Sequence, residues 1–154
     1  MTTAVTATAA TMTVIGRGYV SVHVTPGHLN DAAREAFTEG QCHALALALN
    51  EATGWPITAI LTADSCRQDD PLCNRADDDH CACRIGHLVV TRPDGTHLDI
   101  TGAHTPGTVP DCHGAPSRAM TAEDWQALRT ARAWRAPDLR AARTFVAPLL
   151  ASLA

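Results

Sequence analysis

The chain has 154 residues, 45% of them hydrophobic, with 12 basic against 16 acidic side chains and a formal net charge of −4. That length and apolar content suit one domain with a core of its own. The charge balance offers no basic patch and excludes nucleic acid as a partner. No stretch approaches the roughly 18 apolar residues of a membrane span, which excludes an integral membrane protein.

Residues 1–12 are rich in Thr and Ala and lack the basic and apolar blocks of a signal peptide, so they are expected to be a disordered tail. The expected compartment is therefore the cytoplasm, where structural disulfides are disfavoured. Residues 13–154 are expected to form a single domain. Its first signal is the alternation Val20-Ser21-Val22-His23-Val24, which suggests an early strand within 13–24. Pro26-Gly27 turns the chain, and Asn30 is placed to cap a short helix over 31–38.

The next helix is the most informative element. Cys42 follows Gly40-Gln41, precedes His43, and opens Ala44-Leu45-Ala46-Leu47-Ala48-Leu49, a run that is apolar on every face. Such a helix belongs at the centre of a domain. It stops at Gly54, with Pro56 just beyond. A thiol at its start lies in the field of unpaired N–H groups and the positive dipole end, which favours the thiolate. On a helix His43 points about 100° away from Cys42 and is a poor partner for it.

Residues 57–62 read as a strand. A second runs from 85 to 91 and carries His87 before Leu88-Val89-Val90. Arg92-Pro93-Asp94-Gly95 forms a turn, and the returning strand over 96–101 carries His97 and Asp99. Pairing about that turn brings His87 and Asp99 to the same end of the hairpin. His97 shares a strand face with Asp99 and is the rival base, but His87 sits beside the apolar run of a central strand. Residues 102–120 read as a long loop. Thr121 caps a helix carrying Trp125, Leu128 and Trp134, and Pro137-Asp138 starts a last helix that Pro148 kinks or breaks.

The insert over 63–84 places Cys66, Cys73, Cys81 and Cys83 within 18 residues, together with His80. Thiolates converging on Zn²⁺ would fold a polar segment too short for its own core. The spacing leaves three states open: a structural zinc site, two disulfides, or a loose acidic loop with free thiols. Cys112-His113 is placed to add a ligand, and Asp77-Asp78-Asp79 reads as a solvated face.

A nucleophile at a helix start, a His on one strand and an Asp on the next give the chain order Cys, His, Asp. Over Gly40 to Gly102 the chain resembles the papain-like superfamily in its broad sense, including its small transglutaminase-like and amidase-like members. The resemblance implies an α+β fold, with the Cys helix packed on an antiparallel sheet. It implies that Cys42 attacks an acyl carbon, that His87 moves the proton, and that Asp99 orients the imidazole. The oxyanion would be met by the Cys42 backbone N–H and one further donor, for which Gln41 is the candidate.

The expected activity is that of a thiol peptidase, amidase, deamidase or acyl transferase with no cofactor for catalysis. Its substrate would be the amide or thioester of a peptide, a protein or a small acyl compound. Two alternatives stand beside it: a non-catalytic binding module on the same scaffold, and a metallohydrolase using His87, His97 and Asp99.

Overall fold

The computed structural model describes residues 10–74 and 79–154. Most of the expected disordered tail lies outside the described residues, and Met12 already belongs to a strand. β1 (Met12–Ile15) and β2 (Ser21–Val24) form an antiparallel pair with Val14 opposite Val22, so two strands stand where one was expected. α1 (Asp31–Thr38) follows, its first turn closed by the Asn30 side chain accepting the Ala33 N–H. α2 (Cys42–Thr53) ends at Gly54.

The main sheet has five antiparallel strands: β3 (Ile57–Leu61), β4 (Ile85–Thr91), β5 (His97–Asp99), β6 (Gly102–His104) and β7 (Ser117–Ala119). Their order in space is β6-β5-β4-β3-β7. The expected long loop therefore contributes a strand at each end. α3 (Ala122–Thr130) is opened by a capping box between Thr121 and Asp124, and Trp134 lies beyond its end. α4 (Leu139–Ser152) starts where Asp138 accepts the Ala141 N–H and continues through Pro148 without a break. No helix among the described residues is long and apolar enough to cross a membrane.

The fold is thus α+β, with the all-apolar helix buried as its pattern requires. His43, Ala44, Leu45, Ala46, Ala48 and Leu49 are buried along α2. One side of the core comes from Ala59, Leu88, Val90 and Leu98 of the sheet, the other from Phe37 of α1 and Ala141, Ala142 and Phe145 of α4. The alanines let α2 and α4 approach closely, and Phe37 meets Phe145 at a centroid distance of 5.1 Å. Each large side chain buried here contributes about 1.5–3 kcal/mol. The alternate residues Ile60 and Val89 pack instead on Val109 and Cys112 of the segment following β6. β4 is buried on both faces, which accounts for an unbroken Leu-Val-Val run where a half-exposed strand would alternate.

Candidate active site and metal centre

Cys42 is the first residue of α2 and is partly buried. The chain entering the helix is clamped from both sides. Gly40 has φ +120°, and a Cβ there would lie 2.4 Å from the Arg17 backbone nitrogen, so only glycine fits. Next to it, Gln41 is buried, with its amide N–H groups donated to the Ile15 carbonyl at 3.0 Å and the Ala136 carbonyl at 3.4 Å. Its Oε1 accepts the Asp138 backbone N–H at 3.0 Å. Both amide hydrogens are bonded to these carbonyls, which opposes the expected role of Gln41 as an oxyanion donor: it ties β1 and the start of α4 to α2.

β4 and β5 bring the other two residues together. His87 Nε2 lies 2.8 Å from Asp99 Oδ2, with the two side chains 5% and 4% exposed, so water screens the pair weakly. The other carboxylate oxygen of Asp99 accepts the Thr101 backbone N–H at 2.8 Å and its hydroxyl at 2.5 Å. Burial pulls the Asp99 carboxyl upward, but the bonds from His87 and Thr101 prevail and lower its pKa. With Nε2 on Asp99, His87 is left with Nδ1 for Cys42.

Electrostatics make the pair of Cys42 and His87 an ion pair. Burial opposes ionisation of Cys42, yet hydrogen bonds from His43 and His87 and the charge of His87 bring its pKa down to about 5. Burial likewise opposes protonation of His87, and Asp99 and Cys42 outweigh it, raising its pKa to about 10. These shifts favour a thiolate beside an imidazolium, the state in which a cysteine is nucleophilic without a further base.

His43 departs from the expectation that it points away. Its ring is held by the Arg135 carbonyl, 2.9 Å from Nε2, and by Trp134 at a centroid distance of 5.0 Å. Cys42 is the first residue of the helix, and a hydrogen bond with the neighbouring His43 ring is among the causes that lower its pKa. Thr101 was not singled out in the sequence. The available signal was Asp99-Ile100-Thr101-Gly102, a pattern in which an Asp side chain accepts the N–H two residues on.

His97 lies elsewhere. It pairs with Thr91, four residues along β4 from His87, roughly 13 Å at a strand's rise. Its ring sits between the Thr91 hydroxyl at 3.2 Å and the Ser117 hydroxyl at 3.4 Å, and burial lowers its pKa. Among the described residues His87, His97 and Asp99 do not gather as a metal-ligating group, and Asp99 bonds His87 rather than His97.

The four insert cysteines do converge. Sγ of Cys66 lies 3.3 Å from Cys73, 3.5 Å from Cys81 and 3.8 Å from Cys83, and Cys81 is 3.2 Å from Cys83. All four sulfurs fall within 4.8 Å of one another and could hold a metal ion; the six cysteines are free thiols. The Arg67 N–H points at Cys83 Sγ from 3.0 Å, a backbone donor to a cysteine sulfur. Cys81 has its pKa lowered to about 7 by hydrogen bonds against burial, while bonds from Cys73 and Cys81 raise that of Cys66. So close a set cannot all ionise without a cation between them. Cys112 is separate from this group and packs on Ile60 and Val89. Asp77 and Asp78 of the expected acidic face lie outside the described residues.

The insert is tied to α3 at its middle and closed across its two ends. Asn74 Nδ2 donates to the Ala127 carbonyl at 2.8 Å, and Arg84 Nε to the Ala63 carbonyl at 3.2 Å. Gly86 lies so close to Thr62 that an added Cβ would be 2.2 Å from its methyl group, which locks the strand just before His87. Compared with models of protein families, with curated proteins and with solved structures, the chain matches none.

Proposed function

We propose that the chain is a cysteine-dependent acyl enzyme of the papain-like superfamily. It would act as a thiol peptidase, amidase, deamidase or acyl transferase on an amide or thioester of a peptide, protein or small molecule. One observation carries this proposal: a partly buried thiol at a helix mouth, with its pKa lowered to about 5 next to the buried His87–Asp99 pair.

In the reaction, the Cys42 thiolate forms an S–C bond to the acyl carbon while the carbonyl electrons move onto oxygen. Ala44 and Leu45 both send their N–H back to the Gln41 carbonyl. The N–H groups of Cys42 and His43, ahead of them in the first turn, are available to the oxyanion. On collapse the C–N or C–S bond breaks, and the leaving group takes the Nδ1 proton of His87. Water or an amine then attacks the thioester, returns a proton to His87 and releases Cys42 as thiolate. Asp99 stays ionised throughout and holds the imidazolium.

The insert serves this enzyme as a structural zinc site. Zinc takes four thiolates at about 2.3 Å, which sets neighbouring sulfurs about 3.8 Å apart, close to the spacing seen here. The ion would supply a cross-link, and no step runs through it.

The deciding experiment is intact-mass spectrometry after incubation with amide and thioester donors. A covalent acyl adduct should appear on the wild-type chain and be absent from Cys42→Ala. Selective labelling of Cys42 by iodoacetamide at pH 6 should accompany it. A Cys42 that labels no faster than an ordinary thiol at that pH would sink the acyl-enzyme proposal and leave a non-catalytic binding module.

A further inference from the structure

Asp99 reaches His87 with Oδ2 and gives Oδ1 to a second set of partners. Oδ1 accepts the Thr101 N–H at 2.8 Å and the Thr101 hydroxyl at 2.5 Å, and the same hydroxyl oxygen lies 2.7 Å from His104 Nε2. His104 Nε2 itself stands 3.7 Å from Asp99 Oδ1. An ionised carboxylate only accepts, and a hydroxyl has a single hydrogen. The Thr101 hydrogen therefore goes to Asp99, and its lone pair receives the N–H of His104 Nε2. The backbone bond alone would close the tight turn between β5 and β6 as an Asx turn. The hydroxyl and the imidazole exceed what the turn needs.

We propose that Thr101 and His104 are positioning residues that aim the Asp99 carboxylate at His87, an inference that rests on the acyl-enzyme mechanism above. The terminal torsion of an aspartate is broad and roughly two-fold, so the backbone does not fix the carboxylate plane. Rotation about that bond is the motion that takes Oδ2 off His87 Nε2. Two donors on Oδ1 oppose it, and His104 holds the Thr101 hydroxyl in the rotor that donates. His104 is joined to the same element, since β6 pairs His104 with His97 and Gly102 with Asp99.

A purely electrostatic role has the opposite sign. Donors on Oδ1 draw charge from the carboxylate, so deleting one from a fixed carboxylate would strengthen its hold on the His87 proton. Deleting one that aims the carboxylate weakens that hold. The charged groups that His87 meets are Asp99 from β5 and Cys42 from α2, while Cys112 meets the charges of Asp99 and Cys42 from the segment after β6.

The test uses the full chain and two readouts: the pH dependence of Cys42 alkylation by iodoacetamide, and the titration of the His87 ring followed by NMR. In the wild type, alkylation should reach half its plateau near pH 5. In Thr101→Val the His87 titration should fall by about one pH unit, a tenfold loss of proton affinity, as expected for one charge-assisted bond. Thr101→Ser should restore the wild-type value, and His104→Phe should lower it by a smaller step. A His87 titration unchanged or raised in Thr101→Val overturns the positioning role while leaving the acyl-enzyme mechanism standing. A wild-type Cys42 that titrates near 9 overturns both. If Thr101→Val does not fold, His104→Phe decides: a lowered titration supports the proposal, and an unchanged one overturns it.

Discussion

Gln41 Oε1 accepts the Asp138 backbone N–H at 3.0 Å, joining the residue before Cys42 to the residue that caps α4. The same amide donates to Ile15 and Ala136, so one buried side chain holds three separate segments at the helix mouth. Gln41→Ala would leave a buried N–H and two carbonyls short of partners. It should destabilise the fold by about 3–4.5 kcal/mol, at roughly 1–1.5 kcal/mol for each of the three bonds lost. Urea unfolding measures this. A Gln41→Ala chain of wild-type stability with sharply reduced turnover would restore Gln41 to the oxyanion site.

The ion pair also shapes stability against pH. Cys42 moves from 9.0 to about 5 and His87 from 6.5 to about 10 on folding. Between about 6.5 and 9 both folded and unfolded chains hold one proton on the pair, and its contribution is flat. Below 6.5 the unfolded pair binds more protons, so this stability falls as pH drops toward 5. Above 9 the folded pair binds more, and the stability falls as pH rises toward 10. His97, with a lowered pKa, adds to the loss on the acid side. Denaturant midpoints from pH 5 to 10 should trace this plateau. Stability that climbs steadily through pH 9 to 10 would contradict a raised His87.

Much of this arrangement was legible in the sequence because it depends on local patterns. The apolar run after Cys42 required a central helix, and Pro93-Asp94-Gly95 fixed the hairpin that joins His87 to Asp99. What escaped was set by contacts distant along the chain. The partners that hold Gln41, namely Ile15, Ala136 and Asp138, come from three other segments, so its structural role leaves no local pattern. His43 was judged by helical angle alone, without Arg135 and Trp134 to steer its ring. The four cysteines announced a cluster, but only the fold shows their sulfurs gathered without disulfides. β1, β6 and β7 are short strands specified by pairing rather than by an alternation of their own.

Metal content follows from the sulfur geometry. Elemental analysis of the chain purified without chelator should find one zinc per chain. Of the six cysteines, the four in the cluster should be protected by the metal and Cys112 by burial, leaving Cys42 to react rapidly with a thiol reagent in the native state. Chelation should expose all six and lower the melting temperature, since binding to the folded site is part of the folding free energy. Six thiols titrating in the native protein, with no metal, would remove the cross-link.

Substitutions at the site should separate its members by role. Cys42→Ala should abolish acyl transfer with the fold intact, because the covalent step needs that sulfur. His87→Ala should cost nearly as much in kcat/KM, about 10²–10⁴-fold, since the thiolate loses its counter-ion and the leaving group its proton source. Asp99→Ala should cost less, because orientation is lost but the ion pair survives in part. His97→Gln should alter stability through Thr91 and Ser117 and leave kcat/KM within about twofold. Steady-state kinetics on the acyl donor found by mass spectrometry, with melting curves for each variant, gives the ordering. Loss of turnover in His97→Gln together with retention in His87→Ala would reverse the assignment of the base.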